Sequence, residues 1–63
     1  MYLYLVFRYQ TFEMRHPKYD AVMVEGRTHQ QRMDMLPAGT YGWRVVLALS
    51  KQDAIILAHQ QGV

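Results

Sequence analysis

The chain has 63 residues, of which 51% are apolar and 19% charged, with a formal net charge of +2 and no cysteine. This composition favours a single folded domain over residues 1 to 63 with a small core, and it excludes disulfides and thiolate zinc sites. No apolar run reaches the ~20 residues of a membrane helix and no signal-peptide pattern is present, so we expect a cytoplasmic protein, in the host cytoplasm if a phage encodes it.

Residues 1 to 9, Met-Tyr-Leu-Tyr-Leu-Val-Phe-Arg-Tyr, predict a first strand that is apolar on both of its faces. Side chains alternate along a strand, so its odd-numbered and even-numbered residues occupy opposite faces. One face carries Leu3, Leu5, Phe7 and Tyr9, and the other carries Tyr2, Tyr4, Val6 and Arg8. A chain this short can cover one face with its core, and the second face then needs a partner or water.

The middle of the chain predicts a hairpin loop, a second strand and a turn. Residues 11 to 18 are polar and contain the His16-Pro17 step, which favours a loop. Residues 19 to 25 are rich in β-branched and aromatic side chains and predict a strand antiparallel to the first. Residues 27 to 36 suit either a helix or a strand, and we interpret them as a short strand or irregular ribbon. Residues 36 to 41 predict a tight turn at Pro37 and Gly39.

The last third predicts a strand followed by a helix. Residues 43 to 49, Trp-Arg-Val-Val-Leu-Ala-Leu, are apolar on both faces, and we expect this strand to be central in the sheet. Ser50 with Asp53 three residues later is typical of a helix N-terminus. We therefore predict a helix from about Lys51 to Gln61, closed by Gly62.

The order β-β-(β)-β-α describes an α+β fold, a small antiparallel sheet of three to four strands with one C-terminal helix packed on one face. A helix of about three turns covers one sheet face and leaves the other open. The sequence does not say which face of the first strand is the open one.

An open sheet face of Tyr, Val and Arg has the composition of an interface core. The alternative is that the Tyr rings lie over their neighbours with their hydroxyls in water. An unpaired sheet edge offers a second route, by strand addition. The predicted partner-binding residues are Tyr2, Tyr4, Val6, Arg8, Arg27, His29, Arg32 and Arg44.

Catalytic and metal-binding signatures are missing from the sequence. The three histidines, His16, His29 and His59, match no metal-ligand spacing. Thr40 and Ser50 have local roles in a turn and a helix cap and lack the context of a nucleophile. We therefore expect a protein that is not an enzyme and that holds neither a metal nor a cofactor.

The sequence favours a non-enzymatic protein-binding module whose partner is a larger protein or a second copy of the chain. Very short chains without motifs are typical of phage and mobile-element accessory proteins, including anti-CRISPR and host-takeover inhibitors that block a larger protein stoichiometrically. The alternative is a small dimeric nucleic-acid-binding or transcription-regulating protein that uses Arg8, Arg44 and nearby tyrosines. The cations are interleaved with acidic residues rather than clustered, which weakens this alternative.

Overall fold

An antiparallel three-stranded sheet forms the centre of the computed structural model, which describes residues 1 to 63. The chain forms, in order, strand β1 (Tyr2–Tyr9), strand β2 (Lys18–Met23), helix α1 (His29–Asp34), strand β3 (Thr40–Ala48) and helix α2 (Lys51–Gln60). The strand order in the sheet is β2-β1-β3. The predicted α+β fold, with its C-terminal helix, is confirmed.

Strand β1 is the central strand, and all four residues from Tyr4 to Phe7 are buried. The prediction that the strand at residues 43 to 49 is central is wrong, because β3 lies at an edge of the sheet. Only one strand of three can be central, and β1 is the one with large apolar side chains on both faces from Tyr2 to Phe7. Strand β3 carries Gly42 and Arg44 on one of its faces, which suits an edge position.

Helix α2 packs on the sheet face that carries Tyr4 and Val6. Ala54 and Ala58 are its buried residues, and their small side chains let the helix axis approach the strands closely. The Ser50 hydroxyl accepts a hydrogen bond from the Asp53 amide, as expected of an N-cap, and Gly62 follows the helix with a positive φ of 93°. The predicted helix and both of its ends are confirmed.

Helix α1 corrects the interpretation of residues 27 to 36 as a strand or ribbon. Thr28 is its N-cap: the Thr28 hydroxyl accepts from the Gln31 amide, and the Gln31 side chain accepts from the Thr28 amide. This reciprocal capping box overrides the alternation of Met33 and Met35 that resembles a strand. Neither α1 nor α2 is long and apolar enough to cross a membrane.

The segment that contains α1 covers part of the second sheet face, which was expected to be open. Met35 and Leu36 pack against a cluster of Leu5, Phe7 and Val24. The two faces of β1 are therefore closed by different elements, one by α2 and one by the α1 segment. Large apolar side chains remain exposed on β3 at Tyr41, Trp43 and Leu47, and elsewhere at Met1, Tyr2, Phe12, Met23, Leu49 and Ile56.

Candidate protein-binding surface

The outer edge of β3 carries backbone groups that no other strand pairs with. The carbonyl oxygen of Leu3 accepts from the Val24 amide, so the odd-numbered residues of β1 direct their backbone groups away from β3. The even-numbered residues of β1 therefore bond to their partners in β3, such as Val46 opposite Tyr4. Backbone N–H and C=O groups alternate in direction along a strand, so those at positions 43, 45 and 47 point outward from the free edge.

Large apolar side chains are exposed along and beside this edge. Leu47 is 54% exposed and Leu49, just after the strand, is 68% exposed. We call this set of residues the edge surface; it consists of Met1, Tyr41, Trp43, Leu47, Leu49 and Ile56. A long apolar edge strand is rare on proteins that stay monomeric, because it is a template for pairing with another chain.

A groove of about 290 Å³ opens at one end of the edge surface, between the end of β3 and α2. Met1, Leu47, Leu49 and Ile56 line it, so two-thirds of the edge surface borders this groove. Asp53 and Gln60 supply its polar groups. An apolar concavity with a few polar groups is suited to an inserted side chain from another protein.

The opposite edge of the sheet, along β2, is protected. Strand β2 has six residues against nine in β3, and it begins at Lys18 directly after Pro17. Lys51 Nζ lies 2.7 Å from Asp20 Oδ1, which ties the first turn of α2 to this strand. The hydrogen bond from Lys51 holds the pKa of Asp20 below its ordinary value. Charge, proline and short length are common ways of blocking an edge; β3 is nine residues long, has no proline, and carries a single charged residue, Arg44.

Arg8 lies in a cluster of aromatic side chains at the other end of the sheet. Its guanidinium carbon is 4.6 Å from the centroid of the Tyr41 ring, a cation–π contact. Arg8 Nη1 also donates to the Tyr19 hydroxyl at 3.5 Å, and that hydroxyl donates to the Val63 carbonyl at 2.9 Å. The Tyr19 hydroxyl also lies 3.1 Å from His59 Nδ1, within hydrogen-bond distance.

This cluster anchors the end of α2 to the sheet. Arg44, which neighbours Arg8 across β1 and β3, donates from Nη1 to the carbonyl of Gln61 at 3.2 Å. Cationic donors on the last carbonyls of a helix are a common way of satisfying its C-terminus. Arg8 and Arg44 thus have intramolecular roles that account for their positions.

No family model matches this chain. No curated protein and no solved structure was found to be similar to it either. The structure groups no three His, Asp or Glu side chains closely enough to hold a metal ion. Function therefore has to be inferred from the surface itself.

Two of the predicted partner-binding residues are not on the surface. Tyr4 is 8% exposed and Val6 is fully buried, because α2 covers the face of β1 on which they lie. Their assignment to a binding surface is corrected by this packing. Tyr2, on the same face, is half exposed and lies next to Met1 at the end of the strand.

The other predicted residues fall in two separate places. Arg8 and Arg44 lie together on the face covered by α2. The remaining three, Arg27, His29 and Arg32, lie in or just before α1. The His29 ring is 5.9 Å from the Trp43 ring, so one of these residues contacts the edge surface. The eight residues as a set do not form a single site.

Sequence reasoning missed Trp43, Leu47 and Leu49 as surface residues. It placed them on one apolar face of a central strand, where they would be core. The sequence did contain a signal. Because β1 is the more apolar of the two strands and is expected at the centre, a second strand with apolar faces is expected at an edge, where some of its side chains are exposed. Exposure of Ile56 on α2 depended on how the helix rotates against the sheet, which the sequence left open.

Proposed function

We propose that this protein is a non-enzymatic binding module that acts by occupying a surface of a larger protein through its edge surface. The observation that supports this is the convergence of Met1, Leu47, Leu49 and Ile56 on one open groove next to a free strand edge. A partner gains apolar burial from the groove and main-chain hydrogen bonds from the edge. Neither interaction requires a catalytic group.

The proposed mode of action is stoichiometric blocking, as in phage and mobile-element inhibitors of the anti-CRISPR or host-takeover type. A rigid sheet presents its contact residues already ordered, so little conformational entropy is lost when they are buried. The absence of cysteine is compatible with a target in a reducing cytoplasm. A blocker of this size needs only affinity and shape, and the exposed apolar side chains of the edge surface support this role.

The experiment compares three immobilised forms of the chain for retention of proteins from a lysate of the cells that encode it, or of their host. These are the wild type, the groove variant Ile56→Lys and the control Met23→Lys. Met23 is 56% exposed and lies on β2, so its change adds the same charge at a similar exposure on the protected edge. The retained protein is then purified and titrated to obtain stoichiometry.

We expect the wild type and Met23→Lys to retain one protein at a fixed molar ratio. Ile56→Lys should bind the same protein with at least tenfold lower affinity. Circular dichroism of Ile56→Lys must match that of the wild type, since Ile56 is half exposed and its change should leave the fold intact. Equal retention by all three forms would show that the partner does not bind through the groove.

The second candidate is nucleic-acid binding, favoured because most of the basic residues form no ion pair within the chain. Seven Lys and Arg residues are present, and only Lys51 forms an ion pair, with Asp20. Arg8 and Arg44 lie diagonally across the β1–β3 pair on one sheet face, and the Tyr41 ring contacts Arg8, an arrangement suited to a phosphate and a base. Titration with a labelled oligonucleotide at rising salt tests it, because phosphate contacts lose affinity linearly on a log–log plot. A salt-independent or absent signal excludes it.

A further inference from the structure

We infer that the free edge of β3 pairs with β3 of a second copy of this chain, antiparallel about a two-fold axis at Val45, giving one continuous six-stranded sheet. The inference rests on the proposed function in that it uses the same edge surface, and it names the occupant of the strand edge. Leu47 and Leu49 line the groove as well as the paired edge, so a foreign protein and the second copy bind in competition.

The hydrogen-bonding groups are in phase for this pairing. Positions 43, 45 and 47 direct their N–H and C=O groups outward, because the even-numbered residues of β3 bond to β1. With the axis at Val45, position 45 lies opposite itself and position 43 opposite position 47. All three are outward-directed positions, so each pair exchanges both of its N–H···O=C bonds.

The side chains select this register from its neighbours. An axis at Arg44 would place two guanidinium groups directly opposite each other, which is destabilising. An axis at Val46 shortens the overlap of the two strands to residues 44 to 48. The axis at Val45 keeps residues 42 to 48 paired and sets the exposed Trp43 against the exposed Leu47 of the other copy. Trp43 and Leu47 thus make two equivalent contacts across the axis, so this part of the edge surface is complementary to itself.

The area of the contact sets the expected strength. A seven-residue overlap is about 24 Å long, and the shortest dimension of the molecule is 16 Å. The two give roughly 400 Å² per chain and ~800 Å² in total, below the ~1,200 Å² of a standard stable interface. We therefore expect a reversible dimer that forms at micromolar concentrations or above.

The other edge does not offer the same contact. Strand β2 is shorter, starts after a proline and carries the Asp20 side chain paired with Lys51. Two copies meeting along β2 would bring these charged groups together without the row of exposed apolar side chains found on β3. Growth into longer assemblies is therefore blocked, and pairing closes at two copies.

The first test is light scattering with size-exclusion chromatography over a concentration series. The molar mass of the wild type should rise from the 7.5 kDa of one chain towards twice that value. Leu47→Pro removes an outward N–H while leaving the bonds to β1 in place, and Leu47→Lys puts a charge on the edge. Both variants should raise the concentration at the midpoint of the monomer–dimer transition at least tenfold, whereas Met23→Lys should leave it unchanged.

The register is tested by cross-linking, which is simple because the chain has no cysteine of its own. Under mild oxidation Val45→Cys should form a covalent dimer with itself, since opposite Cα atoms in a hydrogen-bonded pair are ~5.5 Å apart. Leu49→Cys is the control: Leu49 is more exposed than Val45, so random collision would favour it, but the register separates its two copies.

A wild type that stays at one chain's mass at every concentration overturns the inference, as does cross-linking of Leu49→Cys in preference to Val45→Cys. Binding of a foreign protein that is lost in Ile56→Lys would leave the proposed function intact in that case. A dimer lost in both Leu47 variants, together with no foreign partner, would support the inference and contradict the blocking role.

Discussion

Tyr2 and Tyr4 lie two residues apart on the same face of β1, yet Tyr2 is 50% exposed and Tyr4 is 8% exposed. Helix α2 accounts for the difference, because Tyr4 belongs to the cluster that includes Ala54 and Ala58. A tyrosine ring buries a large apolar area, so the position of the helix turns one of two similar residues into core. Neighbouring positions with the same side chain thus have different roles.

Replacement of Tyr4 by alanine should destabilise the fold, since it removes a ring from beneath α2. We expect the free energy of unfolding to fall by about 3 kcal/mol, which is most of the stability of a domain this small. Urea denaturation followed by tryptophan fluorescence measures the change. Tyr2→Ala is the matched control and should cost less than about 0.5 kcal/mol. Similar losses for the two variants would mean that α2 does not cover Tyr4.

At the scale of elements, α1 is held by its ends more than by its packing. None of its residues is buried, and it has only six residues, too few to be stable as an isolated helix. The capping box at Thr28 and the contacts of Met35 and Leu36 beyond its last turn keep it in place. Because these contacts shield Leu5 and Phe7, a weak helix controls access to the second sheet face.

Loss of the Thr28 hydroxyl should loosen α1 without unfolding the sheet. Thr28→Ala removes the acceptor of the Gln31 amide and should cost about 1 kcal/mol. Amide hydrogen exchange should then accelerate from Gln31 to Leu36 and stay unchanged in β1. Thr11→Ala, in the exposed loop after β1, serves as the control because the Thr11 side chain makes no hydrogen bond. Exchange that rises equally in β1 would contradict the local role.

The contact between α2 and β2 predicts a pH dependence. The hydrogen bond with Lys51 holds the pKa of Asp20 below its ordinary 3.8, and the same bond raises the pKa of Lys51 above 10.5. The Asp20 contribution is present above about pH 4 and is lost as the pH falls through its lowered pKa. The Lys51 contribution is present below about pH 10 and is lost as the pH rises through its raised pKa.

The contribution of this pair to the unfolding midpoint in urea should therefore be constant between these limits and fall at both ends. Asp20→Asn should remove the pair's contribution on both sides, while Glu13→Gln in the exposed loop should leave the profile unchanged. The pair is accessible to solvent, so added salt should weaken the effect. A profile that Asp20→Asn does not alter would assign the dependence to other groups.

For the molecule as a whole, the core is small relative to the surface. Ten of the 63 residues are buried, and several large apolar side chains remain exposed. A domain of this size is marginally stable, so covering the edge surface is favourable for the fold as well as for binding. The inferred association is therefore expected to raise the stability of the fold.

This linkage predicts a melting temperature that depends on protein concentration. A second copy that binds only the folded chain stabilises the folded state by mass action. The melting temperature should therefore rise with protein concentration in the wild type and stay constant in Leu47→Lys. Differential scanning fluorimetry over a hundredfold range of concentration measures it. A midpoint independent of concentration in the wild type would argue that the folded chain gains nothing from a second copy.

Local patterns in the sequence determined the three strands and helix α2. Alternation and β-branched residues mark the strands, and Ser50 and Gly62 mark the ends of α2, because these signals act within a few residues. The capping box of α1 was equally local, since Thr28 and Gln31 stand three residues apart, but the alternation of Met33 and Met35 favoured the wrong choice.

The tertiary structure alone decided which face of β1 is covered and which strand lies at the edge. Both faces of β1 are apolar, so the pattern is symmetric, and the turn at Leu49 and Ser50 brings α2 onto the face of Tyr4 and Val6. That turn buries Tyr4 and Val6 and leaves Leu47, Leu49 and Ile56 exposed. The residues available for binding are those that remain exposed after the core has formed. Which residues these are depends on contacts between segments distant in the sequence, and a local pattern does not contain those contacts.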